Sequence, residues 1–243
     1  MKLKRNLRST LVAAACGLVA ASAQAQISDG VVKLGVMNDM SGLYADVAGP
    51  GSVVAAKMAV EDFGAAKKGM KVEIVSADHQ NKPDVGSTVA RTWYDVDKVD
   101  AIFDVPTSSV ALAINQITKD KGKAFINSGA ATSDLSGKAC SPNTVHWTYD
   151  TWMLANGTGS AIVKTGGDTW FFLTADYAFG QALERDTTAA INKAGGKVVG
   201  GVRVPFPGTD FSSFLLQAQA SKAKVIGLAN GAQDTVNAIK PAR

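Results

Sequence analysis

VVKLGVM at Val31–Met37, PGSVVAAKMAVEDF at Pro50–Phe63 and VEIVSA at Val72–Ala77 read in order as strand, helix and strand. The first and last are short apolar runs. The middle one places Val53, Ala56, Val60 and Phe63 at helical spacing, with Pro50 in the first turn, where a missing N–H costs nothing. Outward from this unit the rhythm repeats. A polar loop, Asp78 to Lys82, leads to a helix from Pro83 to about Asp95; then come strand Ala101–Val105, helix Ser108–Lys121 and strand Ala124–Asn127. Strands separated by helices form a parallel sheet, because parallel neighbours need a crossover connection. From Ser128 to Thr148 the pattern breaks into a polar stretch rich in Ser and Gly, the expected passage between two lobes. Alternation then resumes with helix Thr151–Lys164, strand Thr169–Thr174, helix Phe179–Ala194 closed by Gly195-Gly196, strand Lys197–Val204, helix Phe211–Ala220, strand Val225–Ala229 and a helix from near Ala232. The fold class is α/β with two parallel-sheet lobes.

The start of the chain has a different grammar. Lys2, Lys4, Arg5 and Arg8 precede an apolar run from Leu11 to Ala20, and small residues follow to Ala25. This is the tripartite layout of a cleavable secretory signal peptide, with an apolar run too short to span a bilayer. Cys16 after Ala13-Ala14-Ala15 offers a lipidation alternative, but a cut there leaves too short an apolar core. The expected organisation is a signal peptide over 1–25, an N-terminal lobe over 26–147 and a second lobe over 148–243, working outside the cytoplasm.

The net charge of +4 comes from 25 Lys and Arg against 21 Asp and Glu, and the excess lies wholly in the leader, so the mature chain is formally neutral. Nucleic acid is not an expected partner, since basicity confined to an export signal makes no binding surface. Cys16 leaves with the leader, and Cys140 remains as a free thiol, half of an intermolecular bridge, or a residue short of its partner. The fold must rest on a packed core, which 46% hydrophobic composition supports.

In parallel α/β sheets, ligands sit beyond the carboxyl ends of the strands, where helix N-termini offer unpaired N–H groups. Thr107, Ser108 and Ser109 lie there, and their hydroxyls and amides suit a carboxylate; an ordinary helix cap is the competing reading. Asp176 and Tyr177 follow a strand in the second lobe, where a ring can cover an apolar ligand body and a carboxylate can neutralise an ammonium. Tyr44 and Asn230 are further rim candidates. Enzyme motifs are missing: no G-x-S-x-G, no G-x-G-x-x-G, no P-loop and no paired histidine ligands. His79, in a polar loop, reads as solvated or capping. No cofactor, metal site or catalytic residue is expected.

The residues also carry a resemblance. The order Val32-Lys33-Leu34-Gly35-Val36-Met37, Met40-Ser41-Gly42, Ala59-Val60-Glu61-Asp62, Thr107-Ser108-Ser109, Ala130-Ala131-Thr132 with Leu135, Asp176-Tyr177-Ala178-Phe179-Gly180, Asp210-Phe211-Ser212 and Gly227 to Gly231 resembles periplasmic solute-binding proteins of ABC importers, of the branched-chain amino acid (leucine/isoleucine/valine-binding) type. The resemblance implies a class I periplasmic binding fold, two lobes with a hinge closing on a small ligand. It also implies a second lobe that is incomplete here, because such proteins are over a hundred residues longer and cross between lobes three times. It assigns Ala130 and Thr132 to a clamp in which a backbone carbonyl and a hydroxyl meet an amino acid's ammonium and carboxylate.

The expected function is a periplasmic receptor that delivers an amino acid or related carboxylate-bearing solute to an inner-membrane ABC permease, without itself spanning the membrane. Amides, urea-like solutes or small aromatic acids are the alternative ligands. A sensor partnering a membrane signalling protein and an exported α/β enzyme are the rival functions.

Overall fold

The computed structural model describes residues 29–242, so the signal-peptide reading lies outside the described residues. Two separate sheets carry the fold. The first contains β1 (Val31–Asn38), β2 (Lys71–Asp78), β3 (Ala101–Asp104), β4 (Ala124–Asn127) and β5 (Thr144–His146) in the order β2-β1-β3-β4-β5, every pair parallel. The second contains β6 (Thr169–Ala175), β7 (Lys197–Val204) and β8 (Val225–Ala229) in the order β7-β6-β8, again parallel. The helices are α1 (Gly49–Phe63), α2 (Pro83–Asp95), α3 (Ser108–Lys121), α4 (Thr151–Lys164), α5 (Ala178–Lys193), α6 (Ser212–Ala220) and α7 (Gln233–Ile239). In the first sheet β1 is flanked by β2 on one side and β3 on the other, so the strand order reverses at β1 and leaves a crevice at its carboxyl end.

Strand alternation sorts the core. Met37, Ile102 and Phe125 pack with Trp93, Val110 and Ile114 of α2 and α3 on one face of the first sheet. In the second sheet Phe171 and Leu173 join Phe211 and Ala218 on one face, while Trp170 and Phe172 join Val163 and Ile191 of α4 and α5 on the other. That makes β6 an apolar strand covered on both sides, as a central parallel strand should be.

Three features differ from the sequence reading. The stretch taken wholly as a polar passage holds β5 and a 3-10 turn at Ser133–Leu135; three residues reading Thr-Val-His give no periodicity to detect. On α1, Val53, Ala56 and Val60 are half-buried as expected, but Phe63 is 52% exposed, with the Lys68 ammonium 3.7 Å from its ring centroid. The cation covers a ring that the stripe would have placed in the core. His79 is fully buried rather than solvated, and its Nδ1 accepts from the Asn81 N–H at 3.0 Å, so the capping half of that expectation stands.

Candidate functional site

Polar residues end the first sheet's strands: Asn38 on β1, Asp78 on β2, Asp104 on β3 and Asn127 on β4. They knit the edge together. Asn38 Oδ1 accepts from the N–H groups of Asp39 and Gly49, and its Nδ2 donates to Asp104 Oδ2 at 2.6 Å. Asp104 also accepts from Ser52 of α1 at 2.5 Å and from Ser128 at 2.9 Å. Its φ of +75°, followed by +59° at Val105, turns the chain sharply out of β3. Left-handed conformations at such residues cost about 1–3 kcal/mol each and persist where surrounding bonds over-determine them. The turn delivers Pro106 and Thr107 to the start of α3.

Thr107 occupies the N-cap position of α3 yet makes no side-chain cap, so the ordinary cap reading fails for its hydroxyl. That hydroxyl donates to Asn81 Oδ1, and Asn81 Nδ2 donates to Asp39 Oδ2 at 2.6 Å. Asp39 Oδ2 also accepts from the Tyr44 N–H at 2.8 Å, so one carboxylate fixes the loops carrying Tyr44 and Asn81. Ser108 Oγ accepts from the Thr132 N–H at 3.2 Å, Thr132 Oγ1 caps the 3-10 turn through the Asp134 N–H, and the Ala130 carbonyl accepts from His146 Nε2 at 2.8 Å. Thr107, Ser108, Ala130 and Thr132 thus form one buried cluster, with Ser109 half-buried beside it.

From the second sheet comes Tyr177, whose hydroxyl bonds that of Tyr44. Phe206 stacks on Tyr177 with centroids 3.8 Å apart, and Phe179 lies 6.0 Å from the same ring. Burial raises the pKa of both tyrosines, so each stays neutral. Tyr44 and Tyr177 therefore tie the two sheets directly. A second tie lies apart from these rings: Arg185 of α5 pairs with Asp134 at 2.9 Å and donates to Ser133, while Asp186 accepts from Ser133 at 2.7 Å and from Thr151 at 2.6 Å.

Asn230 follows β8, is buried, and sits beside Gly231, which approaches the Tyr44 hydroxyl. Asp176 is not brought into this group. It is exposed, in the turn before α5, and accepts from Gln181 Nε2 of that helix at 3.0 Å. Asp39, Asn81, Asp104, Phe206 and Asp234 were missed by sequence reasoning. The polar loop around Asn81 was noted without its role, and a polar residue ending each strand was the available signal for Asp104. A cavity of about 880 Å³ opens next to the cluster, lined by Tyr44, Ser52, Ala56, Phe103, Tyr149 and Phe179 among others. Of the residues expected to contact a ligand only Tyr44 lines it; Thr107, Ser108, Ser109, Ala130, Thr132, Asp176, Tyr177 and Asn230 do not, although their neighbours Pro106, Gly129, Ala131 and Gly231 do.

Buried side-chain polar atoms without a partner are His79 Nε2, Asn127 Oδ1, Thr174 Oγ1, Asn230 Nδ2 and Asp234 Oδ2 among the described residues. Four belong to residues at or just beyond carboxyl ends of strands, and Asp234 lies in the first turn of α7. Unpaired buried polar atoms are rare, and these are shared between the two sheets, His79 and Asn127 on the first and Thr174, Asn230 and Asp234 on the second. Among the described residues no group of His, Cys, Asp or Glu could hold a metal ion, no helix is long and apolar enough to cross a membrane, and Cys140 is free and exposed.

Two parallel sheets tied to each other at the tyrosine pair and at Arg185 make a two-lobed α/β protein. The family model described as "Periplasmic binding protein" matches residues 31–243, and the chain belongs to that family. It is 54% identical to a periplasmic binding protein of Burkholderia mallei of known structure, with a TM-score of 0.86 over 88% of this chain and 57% of that one. A branched-chain amino acid ABC transporter periplasmic ligand-binding protein of Burkholderia xenovorans is 42% identical, with a TM-score of 0.71 over 87% and 57%. Leu/Ile/Val-binding protein homolog 6 of Brucella abortus is 26% identical over 80% of this chain, which spans 49% of that relative's length.

Proposed function

We propose that this chain is a solute receptor of an ABC importer, exported to the periplasm, holding a small carboxylate-bearing solute between its two sheets and handing it to an inner-membrane permease. The observation that carries the reading is the convergence of the two carboxyl edges, with Thr107, Ser108 and Thr132 on one side, Tyr177 and Asn230 on the other, and orphan polar atoms along both. Ser52 and Ser128, which line the cavity at the first edge, suit a carboxylate by charge-assisted hydrogen bonds, and Tyr44, Tyr149 and Phe179 on the same lining shield it from water. Binding works through population shift: the ligand touches both lobes only when they are shut, so its differential affinity draws them together. No bond in the solute need break.

The test is a thermal-shift titration of the purified protein with amino acids and small organic acids. The expected result is a saturable rise in Tm, worth about 2.7 kcal/mol at a ligand concentration of 100 times Kd, with the ligand recovered unchanged. Thr107→Val should weaken it at least tenfold. Turnover of any ligand, or no shift across the panel, would sink the proposal.

A further inference from the structure

One charged residue lines the cavity, and nothing else on its walls answers the charge. That residue is Asp104, and the lining holds no lysine, arginine or histidine. Its buried carboxylate accepts from three neutral donors: Asn38 Nδ2 at 2.6 Å and the Ser52 hydroxyl at 2.5 Å on Oδ2, and the Ser128 hydroxyl at 2.9 Å on Oδ1. Among the described residues the ion pairs all lie elsewhere. His79, the base whose charge would act on Asp104, is held neutral, because burial lowers its pKa to about 4. Buried charges are normally paired, so a carboxylate with neutral donors alone is set up for a cation from outside the chain. Oδ1 has one donor and room for a second. Gly129, on the same lining, keeps that oxygen uncovered, for a Cβ there would lie 2.8 Å from it.

We propose that Asp104 is the counter-charge for a solute ammonium, so that this cleft selects solutes with an ammonium beside their carboxylate over acids of the same skeleton that lack one. This rests on the receptor reading above. Ser52 and Ser128 give their hydroxyl hydrogens to Asp104, so a solute carboxylate takes them only when another donor, carrying positive charge, reaches Asp104 in their place. An ammonium on the carbon next to the carboxylate supplies donor and charge together. A plain acid brings a like charge to Asp104 and no donor. A neutral amide brings a donor and leaves the charge unanswered. The rings of Tyr44, Trp147, Tyr149 and Phe179 on the same walls favour a cation over an anion as well. Asp176, the carboxylate that sequence analysis set against an ammonium, is exposed and bonded to Gln181, so Asp104 takes that part. A hydrogen bond to a charged group is worth roughly a tenfold change in affinity or more.

Isothermal titration with matched pairs tests this: leucine against 4-methylpentanoate, and phenylalanine against 3-phenylpropanoate. The ammonium-bearing member of at least one pair should bind about tenfold or more tightly than its partner. In Asp104→Asn that preference should shrink to within about threefold. Because Asp104 also ties the strand edge, a second variant supplies a cation without touching it: Ala55 is exposed on the same lining, one turn along α1 from Ser52, and Ala55→Lys should shrink the preference in the same way. Equal affinity within both pairs, or tighter binding of the plain acids, overturns the assignment of Asp104 and leaves the receptor reading standing. A preference that survives intact in folded Asp104→Asn, or in Ala55→Lys where Asp104→Asn does not fold, overturns it as well. Binding of none of the four overturns the assignment, and silence across the wider panel overturns the receptor reading too.

Discussion

Tyr44 and Tyr177 come from different sheets and are separated by most of the described chain, yet each hydroxyl has the other as its partner, at 9% exposure for both residues. Removing one leaves the other buried without a partner, which costs about 1–3 kcal/mol, whereas removing both leaves nothing unpaired. Tyr44→Phe and Tyr177→Phe should therefore each lower stability by that order, and the double variant should be less destabilised than the sum. Urea denaturation in a double-mutant cycle measures the difference; strict additivity would show that the hydroxyls do not meet. At this scale the sequence was partly legible. Thr107 and Ser108 were placed at a strand end and helix start by local features, whereas Ala130 and Thr132 were singled out by the resemblance alone. Asp176 and Tyr177 were indistinguishable in sequence, as neighbours at the same strand end. Only the direction each side chain takes from the chain separates a residue stacked on Phe206 from one bonded to Gln181 at the surface.

Elements are held at the site by close approach as well as by bonds. Gly180, in the first turn of α5, sits so near the ends of β6 and β8 that an added Cβ would lie 2.1 Å from the Ala175 carbonyl oxygen and 2.9 Å from that of Ala229. Both obstacles are backbone and cannot rotate away. Gly180→Ala should therefore push α5 off the sheet, costing about 1–3 kcal/mol as overpacking does, and displacing Tyr177 and Phe179. Calorimetry should show a lowered Tm, and ligand affinity should fall with it. The Arg185 tie works by charge. Burial pushes the Asp186 pKa up, but hydrogen bonds from Ser133, Thr151 and Arg185 outweigh it and hold the pKa below its ordinary value. Stability from this carboxylate is present above its unfolded pKa and lost as pH falls through the lower folded one. Asp186→Asn should remove that acid-side loss, read from Tm below pH 4.

At the scale of the whole molecule, two buried groups pull stability in opposite directions over one range of pH. Burial lowers the His79 pKa from 6.5 to about 4, against the opposing pull of Asp39, Asp78 and Asp104. The fold prefers the neutral ring, so stability is full above pH 6.5 and falls as pH drops toward 4. Burial raises the Asp234 pKa from 3.8 to about 6, with the Gly208 N–H opposing. Here the fold prefers the protonated acid, so stability rises as pH drops from 6 toward 4. The two slopes offset each other in the intact protein. Asp234→Asn should leave a steeper loss of Tm from pH 6.5 to 4, and His79→Gln should reverse the slope; parallel Tm profiles for the two variants would refute the assignment.

Local pattern by itself determined the α/β class, the parallel strands and nearly every helix, because a two- or four-residue periodicity and a helix-starting hydroxyl are written into adjacent positions. Tertiary structure decided the rest. That Thr107 reaches Asn81 instead of capping its own helix, that Asp39 serves both Tyr44 and Asn81, and that His79 lies buried all depend on residues brought together from separate strands. Which buried polar atoms are left without a partner, at Asn230 and Asp234 among others, depends on the same kind of pairing, since an atom is left over only after every other contact has been made.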